Sequence, residues 1–187
     1  MKICIISGTP KKDGLCRSVI EAVRLGASEG GAEVSELKLC DLELKRCQVC
    51  GDGWGPCRTE HYCTYGSDGF DDAMTLVRSS DALILVTPVY WGETSEALKS
   101  FMDRLRRCQF GQNGILSGKQ VLLIASPGGS GNGLLTCLEQ MDRFCRHTGA
   151  VIFDYIGVNR WNSDYKRPAA QAAARAVASG RRNGDTV

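Results

Sequence analysis

No apolar run in this chain approaches the roughly 20 residues needed to cross a bilayer, so a membrane-spanning helix is not expected. Strong charge of either sign is missing too. Lys and Arg total 23 against 21 for Asp and Glu, a net charge of +2, and no basic run dominates any segment, which argues against a nucleic-acid partner. Internal repeats and linkers are absent, leaving one domain over residues 1–180 and a flexible tail over 181–187. The first residues enter directly on an apolar strand rather than a signal peptide, and the expected location is cytoplasmic. Two nucleotide-binding loops are missing from the first turn as well. It has no Gly-x-Gly-x-x-Gly; Gly8 and Gly14 are one residue too far apart for a phosphate loop of the Walker type, and no Gly-Lys-Ser/Thr follows. An NTP or a dinucleotide on this turn is therefore not expected.

What is abundant is cysteine, with ten residues. In a cytosolic chain this predicts free core thiols, with metal or redox work for any cluster. Cys4, Cys108, Cys137 and Cys145 lie in apolar or helical surroundings and read as packing residues. Cys47, Cys50, Cys57 and Cys63 do cluster, in an irregular Gly-rich stretch over 47–69 that also holds Trp54 and Pro56.

Strands and helices alternate along the chain. Residues 1–7, 32–39, 82–87, 119–125 and 150–158 read as strands; the first, third and fourth carry apolar runs, as in strands covered on both faces. Helices are expected from about 15, over 70–79, over 95–107 with Thr94 as cap, from about 134 to 147, and over 164–179. This alternation predicts an α/β three-layer sandwich, a parallel sheet with helices on both faces. Its five-stranded parallel sheet would take the order 2-1-3-4-5. Ligands of such sheets sit beyond the C-terminal strand ends, where strand order reverses. The loops after strands one, three and four would then share a site.

Those loops differ in chemistry. The first offers Thr9, Lys11 and the amino end of a helix with Leu15 and Cys16, suited to a phosphate. The second, Pro88-Val89-Tyr90-Trp91-Gly92, offers aromatics on a proline-stiffened backbone, suited to a flat ring. The third, Ser126 to Gly131 with Pro127, Gly128 and Gly129, lets backbone approach closely, because glycine has no Cβ. FMN, with a phosphate at one end and a planar heteroaromatic at the other, would use all three. An ordinary strand-to-helix turn that binds nothing remains the alternative for the first loop alone.

Residues 7–14, Ser-Gly-Thr-Pro-Lys-Lys-Asp-Gly, resemble the phosphate loop Gly-Ser-Pro-Arg-x-x-Gly-Asn-Thr of flavodoxin-like NAD(P)H-dependent FMN reductases. The block from Thr87-Pro-Val-Tyr through Ser95-Glu-Ala-Leu-Lys to Phe101-Met-Asp-Arg-Leu105 is similar to that family's T-P-x-Y-x-x-x-x-S-x-x-L-K-x-F-x-D-R. Cys47-x-x-Cys50 with the cysteines that follow resembles the iron–sulfur flavoprotein branch. The resemblance runs from Met1 to about Val158. It implies hydride transfer from NAD(P)H to FMN and on to a small acceptor such as a quinone, in a homodimer or homotetramer whose ring site is completed across an interface. It implies FMN contacts at Thr9, Lys11, Leu15, Cys16, Pro88 to Gly92 and Pro127 to Gly129. Other readings stay open: an iron–sulfur/FMN electron-transfer protein without NAD(P)H activity, or a non-catalytic binding module.

The chain departs from the pattern at Leu15 and Cys16, where the family has polar residues. Contact there must come from backbone, Arg17 or Ser18. Cys16 reads as a small packing residue or, at a helix start beside cations, as a thiol of lowered pKa. The third family cysteine falls on Gly53, so the set is stretched. Thiolates at Cys47, Cys50, Cys57 and Cys63 suit an iron–sulfur cluster or zinc; without metal the loop is a cover over the substrate or a subunit interface. His61 reads as a solvated loop residue, and Arg106 and Arg107 as a solvated helix end.

Overall fold

The computed structural model describes residues 1–110 and 114–182. The sequence-predicted loop at 111–118 and tail at 181–187 therefore fall partly outside the described residues. The strands are β1 (Lys2–Ser7), β2 (Glu33–Lys38), β3 (Ala82–Pro88), β4 (Gln120–Ser126) and β5 (Val151–Gly157), all parallel, in the order β2-β1-β3-β4-β5. The helices are α1 (Gly14–Glu29), α2 (Phe70–Ser79), α3 (Glu96–Cys108), α4 (Leu134–Thr148) and α5 (Ser163–Ala178). Each predicted element is present, with ends displaced by a residue or so.

The pleat explains the two cores. Ile3, Ile5, Ile84, Val86, Leu122 and Ile124 point to one face and pack under α1 and α5. Cys4, Ile6, Leu83, Leu85, Val121 and Leu123 point to the other, under α2, α3 and α4. Central strands must be apolar at every position because both faces are covered. The outer helices α1 and α5 touch closely at Gly26, where a Cβ would stand 2.0 Å from the carbonyl oxygen of Gln171. Any side chain there forces the two apart. Cys4, Cys108, Cys137 and Cys145 are buried packing residues, and burial pushes each thiol well above its ordinary pKa.

One cap differs from expectation. Ser95, not Thr94, caps α3, its Oγ accepting from the Leu98 amide at 3.4 Å. Thr94 instead donates its hydroxyl to Gln140 Oε1 at 2.7 Å, tying α3 to α4. Among the described residues no helix is long and apolar enough to cross a membrane.

Candidate functional site

A cleft of about 330 Å³ opens at the C-terminal edge of the sheet. The exit loops of β1, β3 and β4 wall it, as the strand order requires. Thr9, Lys11, Leu15, Cys16, Pro88, Val89, Tyr90, Pro127, Gly128 and Gly129 all line it.

The β1 exit is shaped by its own side chains. Gly8 donates its amide to Val86 O at 2.9 Å, and a Cβ there would meet Ser95 Oγ at 2.6 Å. Thr9 Oγ1 accepts from the Lys11 amide at 3.3 Å. Asp13 precedes α1 in extended conformation and makes no side-chain cap, and the first turn carries no acid. The amides at the start of α1 are thus left to a ligand, together with the positive end of its dipole. Arg17 and Ser18 are spent elsewhere. Arg17 pairs with Glu21 and with Glu36 at 2.7 Å, and Ser18 Oγ donates to Leu15 O at 2.8 Å. Anion contact beside Leu15 therefore falls to backbone. Cys16 is a buried thiol: burial raises its pKa, outweighing Ser126, Thr9 and Lys11, which act in the opposite direction. The packing reading holds, and the lowered-pKa alternative does not.

The β3 exit turns sharply. Tyr90 and Glu93 exchange backbone hydrogen bonds of 2.9 and 3.0 Å across Trp91 and Gly92, both with positive φ (53° and 85°). Gly92 packs against Gly133, where a Cβ would stand 2.4 Å from the Gly92 Cα, and its carbonyl accepts from Thr136 Oγ1 at 2.7 Å. It anchors the loop to α4 and does not wall the cleft. Trp91 lies outside the cleft as well, its ring wholly exposed at 103%.

The β4 exit contributes a buried hydroxyl. Ser126 is 5% exposed, and its Oγ, which faces the Cys16 thiol, is buried without a hydrogen bond of good geometry while lining the cleft. A buried hydroxyl left unsatisfied costs about 1–3 kcal/mol, which a polar ligand would recover. Ser126 stands between Cys16, at the anion end, and Pro88, its partner in the sheet register. Beyond it, a Cβ on Gly128 would meet nothing within 4 Å. Helix-end amides, a buried hydroxyl at mid-cleft and an open glycine wall fit the phosphate, ribityl chain and ring of FMN.

Sequence reasoning missed one lining residue, Arg160; Asp13, Gly14 and Ser126 fell within the named loops but were not singled out. Arg160 comes from the β5 exit, which strand order alone leaves out. A cation beside Trp161 at a C-terminal strand end was the available signal.

The cysteine loop lies at the other end of α3. Cys47, Cys50, Cys57 and Cys63 line one small cavity of about 20 Å³ together with Cys108, Arg104 and Arg107. Arg104 organises it. Its guanidinium donates to Asp68, to the carbonyls of Lys45 (3.0 Å) and Tyr65 (2.9 Å), and to Cys63 Sγ at 3.3 Å. Arg107 is not a solvated helix end: it donates to Gly53 O and lies over the Trp54 ring at 4.2 Å. His61 is not fully solvated either, since its Nδ1 is buried without a partner. Four thiols beside the buried Arg104 and the half-buried Arg107 fit an iron–sulfur cluster as a donor set. Their spacing does not yet do so: among the described residues no three Cys, His, Asp or Glu side chains stand close enough to hold a metal ion. The cavity has room for one water-sized group, so the loop must rearrange to take a cluster.

Residues 1–163 match the family model for NADPH-dependent FMN reductases. The chain belongs to that family. An iron–sulfur flavoprotein of Methanosarcina thermophila is 34% identical over 136 residues, covering 71% of this chain and 66% of the relative. An NADPH azoreductase of Bacillus sp. strain OY1-2 is 29% identical over 141 residues, covering 75% and 66%. The chain thus spans about two thirds of the length of each. The NAD(P)H:quinone oxidoreductase of Methanothermobacter marburgensis shares the fold, with a TM-score of 0.72 at 16% identity over 100% of this chain and 98% of that one.

Proposed function

We propose that this protein passes a hydride from NAD(P)H to bound FMN and then electrons to a small acceptor such as a quinone. The cofactor, when bound, supplies the redox chemistry; the protein supplies binding, orientation and electrostatics. Thr9, Lys11 and the first amides of α1 hold the phosphate. Leu15 and Cys16 close the floor beneath it. Ser126 Oγ meets the ribityl chain. Pro88, Val89 and Tyr90 bound the ring on one side, and Pro127, Gly128 and Gly129 on the other. The observation that carries this reading is the buried Ser126 hydroxyl, with only the Cys16 thiol facing it, between an anion end and a glycine wall.

A second copy of the chain covers the mouth in this proposal. Trp91, Leu135 and Trp161 are large, apolar and exposed around the cleft-forming loops, so Trp91 and Gly92 act through the assembled homodimer or homotetramer. Residues 1–180 form one domain with 47–69 as an insertion, in the cytoplasm. Cys47, Cys50, Cys57 and Cys63 are the proposed ligands of an iron–sulfur cluster, supported by their shared cavity, its two arginines and the iron–sulfur relatives.

An absorption spectrum of anaerobically purified protein, followed by steady-state oxidation of NADH and NADPH with quinone, tests the central reading. A flavin spectrum with turnover is expected. Flavin without any NAD(P)H oxidation would favour a pure electron-transfer protein, and a colourless protein that leaves FMN fluorescence unchanged would favour a binding module.

A further inference from the structure

The cleft has two ends of different character. Lys11 and Asp13 are the charged side chains at its phosphate end. At the ring end the lining holds one charge, Arg160. Its guanidinium lies against the third loop, where a Cβ on Gly129 would come within 2.8 Å of a terminal nitrogen. Glycine at 129 is what lets the cation lie there.

Among the described residues no carboxylate stands within ion-pair distance of Arg160; its partner is the Trp161 ring, 4.5 Å from the guanidinium carbon. The Arg160 side chain is exposed, but the backbone that carries it is held in place. Asn159 Oδ1 accepts from the amides of Trp161 (2.9 Å) and Asn162 (3.1 Å), and Asn162 Oδ1 accepts from the Asn159 amide at 2.8 Å. Trp161 Nε1 donates to Gly129 O at 2.6 Å, which pins the β5 exit to the β4 exit. A loop tied at both ends thus presents an unspent cation to the ring end of the cleft.

We infer that Arg160 is a positioning charge for the flavin ring, and that it raises the reduction potential of bound FMN by favouring the reduced form. The inference rests on the FMN reading above. In hydride transfer a C–H bond of the dihydronicotinamide breaks and an N–H bond forms on the ring. Two electrons and one proton move; NAD(P)⁺ leaves, and the ring holds one negative charge until it takes a proton from solvent. A guanidinium lying against the β4 exit beside that ring stabilises the charge. It does nothing comparable for the neutral oxidised ring.

The test compares wild type with Arg160→Gln, Arg160→Glu and Arg160→Lys. The readouts are the reduction potential of bound FMN by dye equilibration and the affinity for oxidised FMN by fluorescence titration. Arg160→Gln should weaken reduced FMN about tenfold more than oxidised FMN, equivalent to a fall of about 30 mV in the two-electron potential. Arg160→Glu should lower it further, and Arg160→Lys should stay near wild type. Equal potentials in wild type and Arg160→Gln overturn the inference. So does an equal fall in Gln and Lys variants, which would mean shape and not charge. An unchanged potential with a raised KM for NADPH also overturns it, by assigning Arg160 to the co-substrate. If wild type binds no FMN, the FMN reading itself fails and takes the inference with it; a flavin-loaded protein whose potential ignores residue 160 sinks the inference alone.

Discussion

Arg104 grips both carboxylate oxygens of Asp68, at 2.7 and 3.1 Å, with both side chains almost wholly buried. The guanidinium also stacks on Phe70, 4.2 Å from its centroid, so the pair fastens the end of the cysteine loop to the core. Removing one partner of a buried pair leaves the other charge uncompensated, at a cost of about 3–5 kcal/mol. Arg104→Met is therefore expected to lower the urea midpoint sharply, and the carbonyls of Lys45 and Tyr65 lose their donor as well. A midpoint within error of wild type would contradict that role.

The same pair sets an acid limit. Burial works to raise the Asp68 pKa, but the Arg104 guanidinium and the amides of Lys45 and Phe70 outweigh it and hold the carboxyl below its usual range. The folded state thus takes up this proton less readily than the unfolded one. The stabilisation is complete above the unfolded value of about 4 and drains away as pH falls through the lower, folded value. Urea midpoints measured against pH should fall more steeply below about pH 4 for wild type than for Asp68→Asn. Parallel curves would remove Asp68 from the acid limb.

Lys11 is exposed in the phosphate loop, and no side chain beside it duplicates its charge toward the cleft. Losing one charge-assisted contact costs about 1.5–3 kcal/mol. Lys11→Ala should weaken FMN about tenfold or more while leaving riboflavin, which has no phosphate, nearly unchanged. Equal losses for both ligands would place Lys11 away from the phosphate.

Cys57 and Cys63 stand on the far side of the stretched spacing, and both face the cavity. If the loop closes on a cluster, iron analysis of anaerobic wild type will find stoichiometric iron. Cys57→Ser and Cys63→Ser will each lose most of it while keeping FMN. Identical iron content in all three proteins would show that the loop holds none.

The sheet was legible because its signals are local. Apolar runs such as Ile3 to Ile6 and Leu83 to Val86 mark central strands, and glycine and proline mark their exits. Strand order followed from topology, and with it the three loops. What could not be read was reach. Arg107 finds Trp54, some fifty residues earlier, through a loop that has no periodicity to place it. Arg160 enters the cleft only because Trp161 ties two exits together. Trp91 and Gly92 stand outside the cleft of a single chain, because a two-residue turn with positive φ throws Trp91 outward and pins Gly92 to α4. A bulky residue in that backbone region stores strain of about 1–3 kcal/mol, typical of functional surfaces.

Helix α3 touches both sites. At its start the Ser95 amide donates to Thr87 Oγ1 at 3.0 Å, beside the ring loop; at its end Arg104, Arg107 and Cys108 face the thiol cavity. Thirteen residues make a rod of about 20 Å, and each residue advances the helix by about 100°. One inserted or deleted residue within it would swing the arginines off the cavity or the cap off Thr87. The length of α3 is thus fixed from both ends, because it carries the cap of one site and the arginines of the other.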